Sequence, residues 1–217
     1  MLLSKVLEEL MWGMCTSIEI FVLTLLFSIP LGLLVAAGRM SKFKPIQWLM
    51  KAYISIMRGT PLMLQLIVVF FGPYYIFGMT LSSGFRMVAV IIAFTINYAA
   101  YFAEIFRGGI ESIPKGQYEA AQVLGYSRVE TFFIIILPQV IKIVLPSITN
   151  EVITLVKDTS LSFVLAIPEM FTVAKQIAAA EASISALLIA GCFYYVFNAL
   201  VAIVMERFER RLDYYDT

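Results

Sequence analysis

Histidine is absent from the 217 residues, which removes the commonest metal ligand and the side chain that most often moves protons near neutral pH. Charge is scarce as well. Asp, Glu, Lys and Arg make up 14% of the chain and hydrophobic residues 61%, whereas soluble domains carry about a quarter charged residues. Too little polar surface remains to cover a body that faces water on all sides. Cys15 and Cys192 are the only cysteines. Each lies in or beside an apolar run, so they form neither a disulfide framework nor a metal site and read as packing residues. The net charge of +1 offers no excess of basic groups for nucleic acid. No G-x-x-x-x-G-K-[ST] stretch occurs, so the chain carries no P-loop of its own. The opening MLLSKVLEELMWGMC places acids beside its single lysine and has no small-residue cleavage site after a short apolar core, unlike a removable signal peptide.

What is present is apolar length. Residues 20–38, 59–85, 87–103 and 182–205 contain no Asp, Glu, Lys or Arg, and about 20 apolar residues cross a bilayer core as a helix. The pattern predicts an all-α, polytopic transmembrane bundle with one domain over 1–217 and five spans, at about 17–37, 61–77, 87–106, 142–165 and 185–205. The fourth contains Glu151, Lys157 and Asp158, so hydropathy alone understates it. Orientation follows from the cations. Arg39, Lys42, Lys44, Lys51 and Arg58 lie between spans one and two, Arg107, Lys115, Arg128 and Lys142 between three and four, and Arg207, Arg210 and Arg211 in the tail. Only Lys5, Arg86 and Lys175 fall on the other side. The N-terminus is therefore expected outside and the C-terminus in the cytoplasm of a multi-pass cell-membrane protein. The tail after Glu206 reads as a charged cytoplasmic cap or surface helix. Tyr74, Tyr75, Tyr194 and Tyr195 read as interfacial or packing aromatics.

The longest cytoplasmic connection, 107–141, is not a plain tether. Pro114 opens and Gly125 closes the run KGQYEAAQVLG, the expected start and stop of a helix. A second run starts at Ser127, with Glu130 three residues on as a capping box, and is expected to stop at Pro138. Within this stretch Glu119-Ala120-Ala121, Gly125, Ile135 and Leu137-Pro138 match in spacing the E-A-A-x3-G-x9-I-x-L-P loop of ABC-importer permeases. Arg58-Gly59-Thr60-Pro61-Leu62 with Gln65, the stretch from Ala100 to Ile110, Gly116-Gln117, and Lys157-Asp158-Thr159-Ser160-Leu161 extend the likeness over about 16–208. The chain resembles the permease subunit of polar amino acid importers of the histidine, arginine and glutamine type.

That resemblance implies a transport subunit that catalyses no bond chemistry and binds no cofactor. ATP and magnesium would sit on a separate ATP-binding subunit, present in two copies and docked on a coupling helix through Glu119, Ala120, Ala121 and Gly125. It also implies a second permease copy, expected to be identical, an extracytoplasmic substrate-binding protein, and alternating access driven by ATP. The residues are compatible with these roles. Small alanines let another helix approach, Gly125 permits a left-handed turn, and Glu119 can accept charge-assisted hydrogen bonds.

A route for the cargo is suggested by charge at membrane depth, where an ionisable side chain costs about 2.5–3.5 kcal/mol on insertion scales. At about 100° per residue, Asn150, Glu151, Thr154, Lys157, Asp158 and Ser162 share one arc of roughly 140°. Asn97, Tyr101 and Glu104 form a matching stripe on span three. Together they are candidates to line a path for a small zwitterion, and the acidic excess points to a cationic amino acid such as arginine, lysine or histidine. Structural readings stand beside this: Lys157 paired with Asp158 or Glu151, and Glu104 paired with Arg107 at i+3. An ATP-independent secondary transporter coupling protons through Glu151 and Asp158 is the alternative. It is opposed by the absence of a detectable internal repeat, which such carriers usually show.

Overall fold

A computed structural model describes residues 3–80, 82 and 84–212, and every regular element among them is a helix. In order these are α1 (Leu3–Arg39), α2 (Lys44–Gly59), α3 (Leu62–Phe77), α4 (Phe85–Ser112), α5 (Lys115–Val123), α6 (Arg128–Glu130), α7 (Leu137–Asp158), α8 (Met170–Glu181) and α9 (Ser185–Leu212). A π-helical segment, Thr131–Ile136, joins α6 to α7, and a 3-10 segment, Thr159–Leu165, follows α7. These four pieces form one rod, Arg128–Leu165. Among the described residues four helices are long and apolar enough to cross a membrane, α1, α4, this rod and α9, and a bent pair could add a fifth span.

The hub is α4. Over its most apolar stretch 56% of residues are buried, against 6% for α9, whose outward surface stays apolar because its solvent is oil. Phe94, Tyr98, Phe102 and Phe106 stack at i,i+4 along α4, with ring centroids 6.3–6.4 Å apart. Helix α1 lies against this ladder. A Cβ on Gly32 would sit 2.8 Å from Phe102 Cβ and 3.2 Å from the Ala99 carbonyl oxygen, so only glycine lets the two backbones come this close. A second, smaller core gathers Val6, Leu10 and Met14 of α1 with Met170, Ala174 and Ile177 of α8 and Ala186 and Ala190 of α9. Buried Glu169 pins it, accepting hydrogen bonds from the Phe171 and Thr172 amides and from the Thr172 and Tyr194 hydroxyls.

Several expected boundaries move. Helix α1 starts well before residue 17, and α4 runs to Ser112, which shortens the expected 107–141 loop. The run from Ser127 does not stop at Pro138. The chain enters Pro138 from the π segment, where the Leu137 amide reaches the Phe132 carbonyl, and just beyond it Gln139 Nε2 donates to the Ile135 carbonyl at 2.7 Å. Of the two readings of Tyr194 the packing one holds: it packs against the core and its hydroxyl donates to Glu169. The tail is helical to Leu212, and its remaining residues lie outside those described.

The connection between the first two expected spans is itself helical, and the apolar run at 61–77 is only half of a broken pair. Helices α2 and α3 meet at 112° across Gly59–Pro61. A break in a helix leaves carbonyls without their intrahelical donors, and here side chains satisfy them. Gln65 Nε2 donates to the Met57 carbonyl at 3.0 Å, the Thr60 carbonyl at 3.1 Å and Thr60 Oγ1 at 2.8 Å. Asn97 Nδ2 donates to the same Met57 carbonyl at 3.1 Å and to Gln65 Oε1 at 2.9 Å.

Candidate transport path and coupling helix

The α2–α3 break delivers Arg58, the penultimate residue of α2, to the polar faces of α4 and α7. Its guanidinium carbon lies 5.3 Å from the centre of the Tyr101 ring, and its Nη1 is 4.0 Å from Glu104 Oε2. Glu104 is already held by Arg107, through Nη2 at 2.7 Å and Nε at 3.1 and 3.2 Å. Arg107 also binds Glu111. Arg58 is thus the less committed cation. Half-buried Glu151 on α7 lies within electrostatic reach of Arg58 and Asp158. Asp158 Oδ2 accepts a 2.7 Å hydrogen bond from the hydroxyl of Tyr98, which fixes the α7 end of the path to the hub helix.

The expected lining residues therefore separate. Tyr101, Glu104, Glu151 and Asp158 come together around Arg58 and Tyr98. Thr154 donates to the Asn150 carbonyl at 2.9 Å within its own turn, and Asn150 and Lys157 are exposed. Lys157 forms no ion pair with Asp158 or Glu151 among the described residues. Ser162 is buried and donates to the Thr159 carbonyl. Asn97 is occupied by the helix break. Arg58, Gln65 and Tyr98 were not among the expected lining residues. Arg58 and Gln65 carried a signal, since both sit in the motif around Pro61, but Tyr98 carried none, lying one residue off the polar stripe.

Below the path, α5 stands at the turn between α4 and the rod. Pro114 precedes it, and a Schellman arrangement ends it: Gly125 N–H donates to the Gln122 carbonyl at 3.0 Å and Tyr126 N–H to the Ala121 carbonyl at 3.0 Å. Gly125 has φ of 83°, the left-handed region that glycine enters without penalty. The capping box forms as expected, with Ser127 Oγ accepting from the Glu130 amide and Glu130 Oε2 accepting from the Ser127 amide. Ala121 is buried against its own chain, while Glu119 and Ala120 face outward. Val123 and Leu124 extend that outward face and are 88% and 74% exposed, an apolar ridge of the kind that marks a contact with another protein.

Known proteins resemble this chain in sequence and fold. The family described as "Binding-protein-dependent transport system inner membrane component" matches residues 28–214. The L-cystine transport system permease protein TcyB of Bacillus subtilis is 37% identical over 205 residues, covering 94% of this chain and 86% of that protein. The arginine transport system permease protein ArtQ of the same organism is 35% identical, covering 92% and 90%. Among solved structures, a crystal structure of an amino acid ABC transporter with histidines superposes with a TM-score of 0.87 at 31% identity, covering 96% of each chain. The methionine transporter MetNI, in an inward-facing form, has the same fold at 16% identity with a TM-score of 0.71.

Proposed function

The chain belongs to the family of binding-protein-dependent transport system inner membrane components and is the permease subunit of an ABC importer of amino acids; we propose that its cargo is a polar, cationic amino acid of the arginine, lysine or histidine kind. The supporting observation is the arrangement of Arg58, Tyr101, Glu151 and Asp158 on facing helices of the bundle. A zwitterion needs one cation for its carboxylate and one anion for its ammonium group. Arg58, with Lys157 at the exposed edge, meets the first need and Asp158 the second. Glu151 is then left for a cationic side chain. Glu104 is neutralised by Arg107 and positions Arg58 rather than holding cargo. The lining of Asn150 and Thr154 supplies neutral hydrogen-bonding groups along the same edge.

Bond chemistry belongs to partners. Two ATP-hydrolysing subunits, holding ATP and magnesium, dock on the outward ridge of α5 around Glu119, Ala120, Val123 and Leu124. Ala121 and Gly125 hold that ridge at its angle. A second copy of this chain and an extracytoplasmic binding protein complete the assembly. The proton-coupled carrier reading is disfavoured by the family assignment.

The test is uptake into proteoliposomes containing the permease with its ATPase subunit and binding protein, using labelled arginine, histidine and glutamine. Glu151→Gln is expected to lower arginine uptake about tenfold, the effect of losing one charge-assisted hydrogen bond, and to spare glutamine. Equal loss for all three amino acids would refute the role of Glu151 in selecting a cation.

A further inference from the structure

A 380 Å³ cavity opens at the cytoplasmic base where the α1–α2 connection, α5 and the start of the rod meet. Lys42, Tyr118, Gln122, Arg128, Thr131 and Phe132 line it. Among the described residues Lys42 and Arg128 form no ion pair. Glu130, the acid nearest to Arg128 in sequence, is engaged in capping the Ser127 amide. Thr131 spends its hydroxyl proton on the Ser127 carbonyl, so the uncommitted donors are the Tyr118 hydroxyl and the Gln122 amide, together with the two cations. This is the donor set of an anion site, and of a phosphate ester in particular.

Its surroundings say which phosphate ester. Phe43, beside Lys42, is 60% exposed, and Phe133 and Ile134, following Phe132, are 60% and 58% exposed. A cationic cavity with Phe132 in its lining, and with exposed apolar side chains next in sequence to Lys42 and Phe132, matches a molecule with an anionic head and apolar tails. The cavity also begins at the π-helical segment, a conformation found mostly where a function requires it. On α5, Tyr118 and Gln122 lie about 40° apart, whereas Glu119, Val123 and Ala120 lie roughly 100–200° from Tyr118. The cavity and the ridge offered to the ATPase are therefore on different faces of one helix. We infer that this cavity binds the phosphate headgroup of an anionic phospholipid from the cytoplasmic leaflet, bracing α5 against the α1–α2 corner. Basic pockets between membrane helices on that side are suited to such headgroups.

The test uses the permease with its ATPase subunit, stripped of lipid in mild detergent and titrated with phosphatidylglycerol or phosphatidylcholine under native mass spectrometry. Phosphatidylglycerol is expected to bind in preference to phosphatidylcholine. The double substitution K42Q/R128Q should weaken that binding roughly tenfold or more, while K44Q/K51Q, on neighbouring α2, leaves it unchanged. Melting temperatures of both variants confirm folding. Equal binding to wild type and K42Q/R128Q overturns the inference, as does equal weakening by both pairs, which would mean diffuse surface charge. Displacement by inorganic phosphate or glycerol 3-phosphate would assign the cavity to a soluble phosphate instead. Release of the ATPase by K42Q/R128Q with lipid binding intact would make it part of the docking surface.

Discussion

At the scale of single residues, the proposed path rests on contacts between helices more than on any one side chain's chemistry. Tyr98 shows this. Its hydroxyl reaches Asp158 across 60 positions of sequence, and a hydrogen bond to a charged group contributes about 1.5–3 kcal/mol. A double-mutant cycle of Tyr98→Phe and Asp158→Asn should therefore give a coupling energy of about 1–2 kcal/mol in denaturation of the detergent-solubilised complex. A coupling near zero would mean that solvent, not Tyr98, satisfies Asp158. No periodicity argument could pair these residues, because a polar stripe says which face of a helix is special but not which face of which neighbour it meets. The i+3 pair of Glu104 and Arg107 was legible, since both partners lie on one helix.

At the scale of elements, local punctuation was legible and tertiary compensation was not. Pro114, Gly125 and the Ser127–Glu130 box act within a few residues of themselves, and the observed ends of α5 follow them. Replacing Gly125 by alanine forces φ of 83° on a residue with a Cβ, at a cost of about 1–2 kcal/mol. Substrate uptake should fall while ATP hydrolysis by the partner continues, with Gly125→Asn intermediate, as measured by the ratio of ATP consumed to substrate transported. The passage of the rod through Pro138 escaped the sequence because it uses a π segment, and the α2–α3 break because its support comes from Gln65 and Asn97, ordinary amides by composition. Gln65→Leu should strand the Thr60 carbonyl and weaken the hold on that of Met57, destabilising the complex by about 1–3 kcal/mol. A melting temperature equal to wild type would show that the break needs no such bridge.

For the whole molecule, hydropathy identified the class correctly, and a bilayer explains why so much apolar side-chain surface is exposed. Orientation rests on the cation distribution and is open to direct test. In a background with Cys15 and Cys192 replaced, a membrane-impermeant maleimide added outside should label Lys175→Cys and not Lys51→Cys. The reverse pattern would invert the chain. The unequal burial of α4 and α9 also has a mechanical consequence. With only 6% of its apolar stretch fully buried, α9 is the least enclosed of the four long helices. Pulled by its C-terminus on a cantilever, the protein should surrender α9 as a separate early event at low force. The α1–α4 pair, interlocked at Gly32, should come out together and last.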